Sequence, residues 1–235
     1  MHVQKKLPRC AAVVAAGGSG LRMGERDKLF LELSGLPVLV RTLRALDALP
    51  EICEIVIAAR ADKIDEVTRL CEEFDIKKLN RVVCGGATRA DSVLAGVRAV
   101  SRGVSLVAIH DAARPLLTHE VARAAIIQAA KTGAAAPAVP VKDTIKIAHG
   151  GVVEKTPERD CLFQVQTPQV FDTGLIIGAL CDAKARETHI TDDLSAVEAI
   201  GIHPVLTMGD YNNIKITTPE DMVIAQAILG VMVCE

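Results

Sequence analysis

Residues 10–24 read CAAVVAAGGSGLRMG, an unbroken apolar run that is followed at once by a loop of small residues. An apolar run without polar alternation is typical of a strand covered on both faces, as in a parallel sheet. The glycines after the run lack a Cβ, so backbone N–H groups there can approach a phosphate closely and form an anion-binding nest. Arg22 in the loop and Lys28 just beyond it add the fixed positive charge that a transferring phosphoryl group requires. The stretch therefore predicts a phosphate-binding turn at the end of a buried first strand.

The glycine loop departs from both common phosphate-binding fingerprints. Met23 stands where the dinucleotide-binding motif has its third glycine, and no Gly-Lys-Ser/Thr sequence follows, as a P-loop would require. The chain also lacks a clear ribose-binding acid about 20 residues after the loop. These departures disfavour an NAD-dependent Rossmann oxidoreductase, which stays open as an alternative. A nucleotide-binding regulator without catalysis is a further alternative, and the cations Arg22, Lys28 and Lys215 disfavour it.

Outward from this stretch, short apolar runs alternate with helix-like segments, which is the rhythm of an α/β domain. Strands are predicted at residues 11–16, 55–59, 81–84, 105–109 and 135–141. Helices are predicted at residues 37–48, 63–74, 91–100, 118–131 and 218–229, and Gly230 is expected to end the last of them. We therefore expect one α/β domain over residues 1–235, doubly wound around a mostly parallel central sheet.

Residues 140–165 interrupt this rhythm. Two β-rich pieces, 144–148 and 152–155, flank His149-Gly150-Gly151, and glycines supply the positive φ angles that tight hairpin turns need. The pattern predicts a β-arm that protrudes from the sheet. On pattern alone it is either a dimerisation arm or an ordinary surface hairpin.

The composition narrows the class of partner. The 235 residues carry 27 Lys and Arg against 29 Asp and Glu, a net charge of −2, and aromatic residues make up 2%. Such a chain lacks both the positive charge and the stacking rings that polynucleotide-binding proteins use, so we expect no nucleic-acid partner. No uncharged apolar run approaches the roughly 20 residues that span a bilayer, so we expect no membrane insertion. The seven cysteines are scattered without a C-x-x-C pair, which favours reduced thiols in the cytoplasm.

Three further segments, 85–92, 110–115 and 212–215, are predicted at or beyond the carboxyl ends of strands, at the edge where doubly wound sheets bind ligands. In the first, Gly86 allows close backbone approach and Ser92 offers a hydroxyl to a base or a sugar. In the second, Asp111 could accept ribose hydroxyls or help to hold Mg²⁺. Arg89 and Arg114 in these segments are either ligand contacts or structural ion-pair partners.

Several motifs occur in order along nearly the whole chain, and no single one is decisive. They are residues 15–24 with Lys28, 85–93, 110–115, 141–146, 166–171, 191–193 and 213–221. This ordered set resembles the 2-C-methyl-D-erythritol 4-phosphate cytidylyltransferase family of the non-mevalonate isoprenoid pathway. The resemblance implies a Rossmann-like nucleotidyltransferase fold, CTP and methylerythritol phosphate as substrates, and pyrophosphate as a product. A cytidylyltransferase acting on ribitol 5-phosphate shares much of this pattern and stays open as an alternative.

The resemblance also implies a role for individual residues. The catalytic cations would be Arg22 and Lys28 on the triphosphate and Arg159 and Lys215 on the acceptor phosphate. Thr144 and Arg114 would be further acceptor contacts, with Thr144 on an arm that reaches the partner's site in a homodimer. The CTP site would comprise Ala15, Ala16, Gly17, Gly18, Gly20, Gly86, Ser92, Asp111 and Ala112. The cofactor would be Mg²⁺, held mainly by the CTP phosphates, with Asp111 as its candidate protein ligand.

Overall fold

The computed structural model describes residues 8–17 and 27–232, so the predicted site residues Gly18, Gly20 and Arg22 lie outside the described residues. The strands are β1 (Cys10–Ala16), β2 (Glu32–Leu33), β3 (Leu36–Pro37), β4 (Ile52–Ala59), β5 (Leu79–Cys84), β6 (Leu106–Asp111), β7 (Ala134–Pro140), β8 (Ile147–His149), β9 (Val152–Lys155), β10 (Phe163–Val165), β11 (Gln169–Asp172) and β12 (Val205–Met208). The helices are α1 (Val38–Asp47), α2 (Ile64–Glu73), α3 (Arg89–Arg98), α4 (His119–Thr132), α5 (Thr173–Ala185), α6 (Asp193–Ala199) and α7 (Pro219–Met232).

The central sheet is mixed but mostly parallel. Strand β1 pairs in parallel with β4 on one side and with β6 on the other, and β4 pairs in parallel with β5. Strand β11 is antiparallel to both β6 and β7, which it joins. Strand β10 runs antiparallel to the far end of β7, and β12 runs parallel to β7. The predicted doubly wound α/β fold is confirmed.

The first strand explains why the sheet is covered on both faces. Its side chains alternate between two apolar clusters, with Ala12 and Val14 in one and Ala11 and Val13 in the other. Helix α3 packs closely on this strand because Gly96 has no side chain; a Cβ there would lie only 2.5 Å from Cγ1 of Val13. The unbroken apolar run of β1 is thus the signature of a central strand with helices on either side.

The structure corrects several boundaries and adds elements. Helix α7 continues past Gly230 to Met232, so the predicted end at Gly230 is wrong. Sequence patterning found neither β11 nor the helix α5 that follows it, whereas the acids at 192 and 193 do stand at the start of a helix, α6. Strand β11 has four residues, too few to show a period, and its direction is fixed by pairing with β6 and β7 rather than by local propensity.

The predicted hairpin is present, although β8 starts at Ile147 and not at Thr144. Strands β8 and β9 pair with each other in a separate two-stranded sheet, and all of their residues are exposed. The turn between them places Gly150 at φ 57° and Gly151 at φ 82°, angles that favour glycine. We call residues 141–162 the arm. Among residues 8–17 and 27–232, no helix combines the length and the apolarity needed to cross a bilayer.

Candidate active site

Four parallel strands end at one edge of the sheet, and their ends carry the predicted site residues. In the sheet register Ala15 lies opposite both Ala58 and Asp111, and Ala59 lies opposite Cys84. The residues that follow these strands therefore meet at this edge. The Ala112 amide donates to the Ala15 carbonyl at 3.3 Å, which joins two of the predicted nucleotide-binding segments directly.

The Gly85-Gly86 turn is built around the hydroxyl of Ser92. The Gly86 amide donates to Ser92 Oγ at 3.1 Å, and the same hydroxyl donates to the Thr88 carbonyl at 3.0 Å. A Cβ would lie 2.7 Å from Ser92 Oγ at Gly85 and 3.1 Å from it at Gly17, so both glycines leave room for this side chain. In this arrangement Ser92 shapes the turn, and its contact with the nucleotide stays a prediction.

Asp111 lies at the centre of a cluster of cationic side chains. Its carboxylate lies 2.9 Å from Nζ of Lys215 and 3.5 Å from both the Arg89 and the Arg114 guanidinium groups. The residue is only 7% exposed. Burial alone would raise the pKa of Asp111, but the charge of Lys215, with those of Arg89 and Arg114, outweighs burial and holds this pKa well below its usual range. Asp111 is therefore an anion that keeps three cations together.

Arg89 is an ion-pair partner on two sides. Besides Asp111 it contacts Asp193, with NH1 and NH2 of its guanidinium group each 2.8 Å from that carboxylate. Asp193 is fully buried at the start of α6, and burial raises its pKa although Arg89 opposes this. Gln169 fixes the same helix start, because its Oε1 accepts the Asp193 and Leu194 amides at 3.0 and 3.1 Å. Of the two interpretations open for Arg89, the structure supports the ion pair.

The segment that carries Lys215 is tied to the end of β6 and to Lys28. Lys28 Nζ donates to the Ile216 carbonyl at 2.8 Å, and the Ile216 amide donates to the Ala113 carbonyl at 2.8 Å. Arg114 adds a bond of 2.6 Å from its NH1 to the Asn213 carbonyl. The structure thus brings together Lys28, Arg114 and Lys215, three cations that are far apart in sequence.

His110 is inside this framework but not available for proton transfer. Its Nε2 lies 3.1 Å from the Arg114 carbonyl, which can only accept, so Nε2 carries the hydrogen. Its Nδ1 lies 2.9 Å from Thr167 Oγ1 and therefore accepts from that hydroxyl. Burial lowers the pKa of His110 to about 4, which leaves the ring neutral at pH 7. His110 supports the strand end, since the Thr167 hydroxyl also accepts the Asp111 amide at 3.1 Å.

Arg159 and Thr144 are in the arm, where both are exposed. Arg159 begins a short 3₁₀ turn, and its NH1 donates to the Lys142 carbonyl at 3.5 Å. Within the described residues neither side chain contacts the Asp111 cluster of the same chain. These two predicted acceptor residues therefore lie apart from Lys215 and Arg114 within one chain.

The described residues do not fit a metal ion held by the protein itself. Asp111, the candidate ligand, is already balanced by three cationic side chains. In the described part of the chain no group of three or more His, Cys, Asp or Glu side chains could hold a metal.

A pocket of about 240 Å³ opens beside the cation cluster. Its lining includes Arg114, Gln166, Tyr211, Asn213 and Lys215. Sequence reasoning missed Tyr211, although it is the only tyrosine of the chain and lies four residues before Lys215. Its position next to a motif was the one available signal. The contacts of Tyr211 are with the base of the arm, and these are visible only in the structure.

Comparisons with known proteins show which family the chain resembles. The family model for 2-C-methyl-D-erythritol 4-phosphate cytidylyltransferase (IspD) matches residues 10–231. A protein of that name from Alkaliphilus oremlandii is 39% identical over 228 residues, which cover 96% of this chain and 97% of the relative. Another, from Desulforamulus reducens, is 44% identical over 225 residues, which cover 93% and 94%.

Solved structures give the same result. The crystal structure of 4-diphosphocytidyl-2C-methyl-D-erythritol synthase from Anaerococcus prevotii matches with a TM-score of 0.85 at 35% identity and covers 95% of this chain and 96% of its own. The structure of 2-C-methyl-D-erythritol 4-phosphate cytidylyltransferase from Thermus thermophilus matches with a TM-score of 0.76 at 29% identity, covering 93% and 98%. The chain belongs to the 2-C-methyl-D-erythritol 4-phosphate cytidylyltransferase family.

Proposed function

We propose that the chain transfers the cytidylyl group of CTP to 2-C-methyl-D-erythritol 4-phosphate, giving 4-diphosphocytidyl-2-C-methyl-D-erythritol and pyrophosphate. Membership of the family supports both substrates. The structural observation that carries the proposal is the cluster of Lys28, Arg114 and Lys215 at the carboxyl edge of the sheet. Cations held there suit a reaction in which every reacting group is a phosphate.

In the proposed reaction a phosphate oxygen of the acceptor attacks the α-phosphorus of CTP in line with the leaving group. A new P–O bond forms, the bond from the α-phosphorus to the bridging oxygen breaks, and pyrophosphate leaves with that electron pair. The attacking oxygen is already anionic, so no general base is needed, in keeping with a neutral His110 bonded at both ring nitrogens. The barrier is the approach of two anions, which positioning and fixed positive charge reduce.

The charges divide between the two substrates. We assign Lys28, with Arg22, to the triphosphate, and Lys215, with Arg114, to the acceptor phosphate. Arginine offers a planar fork to two phosphate oxygens, whereas lysine acts as a point charge on a flexible stem. Asp111 then serves the ribose hydroxyls, and the small residues at the end of β1 and in the Gly85-Gly86 turn leave room for the nucleotide. Mg²⁺ stays a prediction, as an ion that enters on CTP.

We also propose that the protein is a homodimer in which each arm completes the site of the other copy. Two observations support this. Thr144 and Arg159 have no described contact with the Asp111 cluster of their own chain, and the arm exposes apolar side chains, with Val152 73% and Val153 55% exposed. A second copy would cover this surface. A solution mass of one chain at micromolar concentration would contradict the exchange of arms. The cytoplasmic location stays a prediction.

The decisive experiment supplies purified protein with CTP and Mg²⁺ and measures pyrophosphate release with different acceptors. We expect release with methylerythritol phosphate and little with ribitol 5-phosphate. Lys28→Ala protein is the control for contaminating activity, and EDTA tests the metal requirement. Release with ribitol 5-phosphate alone would contradict the assigned acceptor, and no release with either would contradict the transferase itself.

A further inference from the structure

Tyr211 lies between the loop of Lys215 and the base of the arm. Its hydroxyl donates to the Pro140 carbonyl at 2.8 Å, at the point where the chain leaves β7 for the arm. The ammonium of Lys142 lies 3.5 Å from the centre of the Tyr211 ring, well within the range of a cation–π contact. The side chain is 42% exposed, so its contacts and not core packing define its place.

The loop on the Tyr211 side is held firmly. The Gly209 amide donates to the Ala138 carbonyl at 2.9 Å, and the Gln166 side chain donates to the Asp210 carbonyl at 2.7 Å. A Cβ at Gly209 would lie 2.6 Å from Gln166 Oε1 and 3.2 Å from the backbone of Ala138 in β7, so the absence of a side chain at Gly209 allows this close approach. Tyr211 is thus anchored on a fixed loop that continues to Lys215.

On the arm side, the contacts continue from Tyr211 to Arg159. The ammonium of Lys142 lies over the ring, and the carbonyl of the same residue accepts a hydrogen bond from Arg159 NH1 at 3.5 Å. The two ends of the arm are also joined, because the Val141 amide donates to the Leu162 carbonyl at 3.1 Å. A continuous path of contacts therefore runs from the Lys215 loop through Tyr211 and Lys142 to Arg159.

We propose that Tyr211 is a positioning residue that holds the base of the arm and, through Lys142, sets where Arg159 enters the site of the second copy. This inference rests on the proposed transferase and its exchanged arms. Tyr211 touches no reacting atom in this role. Its loss should weaken the hold on the acceptor in the other subunit while leaving the CTP site intact.

The first test is a kinetic split in the homodimer. We expect Tyr211→Leu and Lys142→Met each to raise the KM for the acceptor by about tenfold and the KM for CTP by less than about twofold. Lys142→Arg keeps the cation over the ring and should restore the acceptor KM. The acceptor KM of the double variant should be no higher than that of the more affected single variant, because both substitutions remove the same contact. Equal changes in both KM values would overturn the proposal.

A matched control uses another ring–cation pair that lies away from the site. Arg44 stands 5.6 Å from the centre of the Phe74 ring, and we expect Phe74→Leu to leave both KM values unchanged. Thermal unfolding of every variant separates loss of folding from loss of positioning. Tyr211→Phe removes only the bond to Pro140 and should give a smaller effect than Tyr211→Leu. An acceptor KM that responds to Phe74→Leu as strongly would also overturn the proposal.

The second test asks which site Tyr211 serves. Mixed dimers of differently tagged chains, one of them carrying Lys28→Ala, contain a single competent site. With Tyr211→Leu placed on the Lys28→Ala chain, the arm that serves the competent site is altered, and the acceptor KM should rise about tenfold. With Tyr211→Leu on the other chain it should stay normal. A rise in the second arrangement only, or in neither, would overturn the proposal, whereas inactivity of the unsubstituted protein would instead contradict the transferase.

Discussion

Replacing Asp111 by Asn tests whether one buried carboxylate holds the cation cluster together. The substitution keeps the size of the side chain and removes its charge. Lys215, Arg89 and Arg114 would then face each other without the carboxylate that lies 2.9–3.5 Å from them. We therefore expect a loss of stability that depends on the ionisation of Asp111.

The size of the expected loss of stability depends on the partners that each cation keeps after the substitution. Removing one partner of a buried ion pair costs about 3–5 kcal/mol. Arg89 keeps its pair with Asp193, and the Lys215 side chain is 40% exposed, so water solvates its ammonium. We reduce the expected loss for Asp111→Asn to about 2–3 kcal/mol at pH 7.

The pH dependence has a definite sign. The pKa of Asp111 is lowered in the folded chain from an unfolded value of about 3.9. A group of this kind contributes its full stability above the unfolded pKa and loses it as pH falls towards the folded pKa. The difference between the unsubstituted protein and Asp111→Asn should therefore be constant from about pH 6 to pH 8 and narrow below about pH 4.

Urea unfolding followed by circular dichroism at pH 7 and at pH 3 measures this difference. The control is Asp75→Asn, because the Asp75 side chain is 80% exposed opposite Lys77, and we expect it to change stability by less than about 0.5 kcal/mol. Equal midpoints for Asp111→Asn and the unsubstituted protein at pH 7 would refute the reasoning. A difference that persists unchanged at pH 3 would show that its cause is not the charge.

Three further predictions concern catalysis and the glycine turn. Lys28→Ala should lower kcat by at least about 100-fold, because it removes a cation from the transferring phosphoryl group, and near-normal turnover in steady-state assays would exclude that role. Arg159→Ala should raise the KM for the acceptor more than that for CTP, and equal increases would argue against a clamp on the acceptor phosphate. Gly86→Ala places a Cβ 2.3 Å from that of Asp91, so we expect a loss of about 1–3 kcal/mol in urea unfolding together with a higher KM for CTP. Gly178→Ala, in open space on α5, is its control and should be neutral or stabilising by up to about 1 kcal/mol.

The fold could be predicted where local pattern and tertiary environment agree. The apolar run of β1 indicated a central strand, and both of its faces are covered. The glycines at 150 and 151 indicated the turn of the arm, and both have positive φ. Strand β11 could not be predicted, because its antiparallel insertion between β6 and β7 depends on pairing with segments far away in sequence.

In the site, too, residues within sequence motifs could be predicted, whereas pairings between distant segments could not. Lys28, Asp111 and Lys215 were identified because each stands in a motif that follows a strand, and the structure brings them together. The pairing of Arg89 with Asp193 spans 104 positions, which no local spacing reveals. The part that the Ser92 hydroxyl plays in the Gly85-Gly86 turn could not be predicted, since the need of buried backbone groups for partners is visible only in three dimensions, and its contact with the nucleotide stays a prediction.

The net charge of −2 and the proposed binding of two anions are compatible because charge is distributed unevenly. Within the described residues, Arg89, Arg114 and Lys215 all lie within 3.5 Å of the Asp111 carboxylate, and Arg89 also pairs with Asp193. Without a central carboxylate such cations would repel each other and turn towards water; with it, they are held in place before a substrate arrives. A phosphate entering the cluster then meets charges that need little reorganisation, which is the condition under which electrostatic stabilisation of a transition state is strongest. We therefore expect Asp111 to contribute to catalysis by keeping the positive charge local, on a chain whose overall charge would not attract a polyanion.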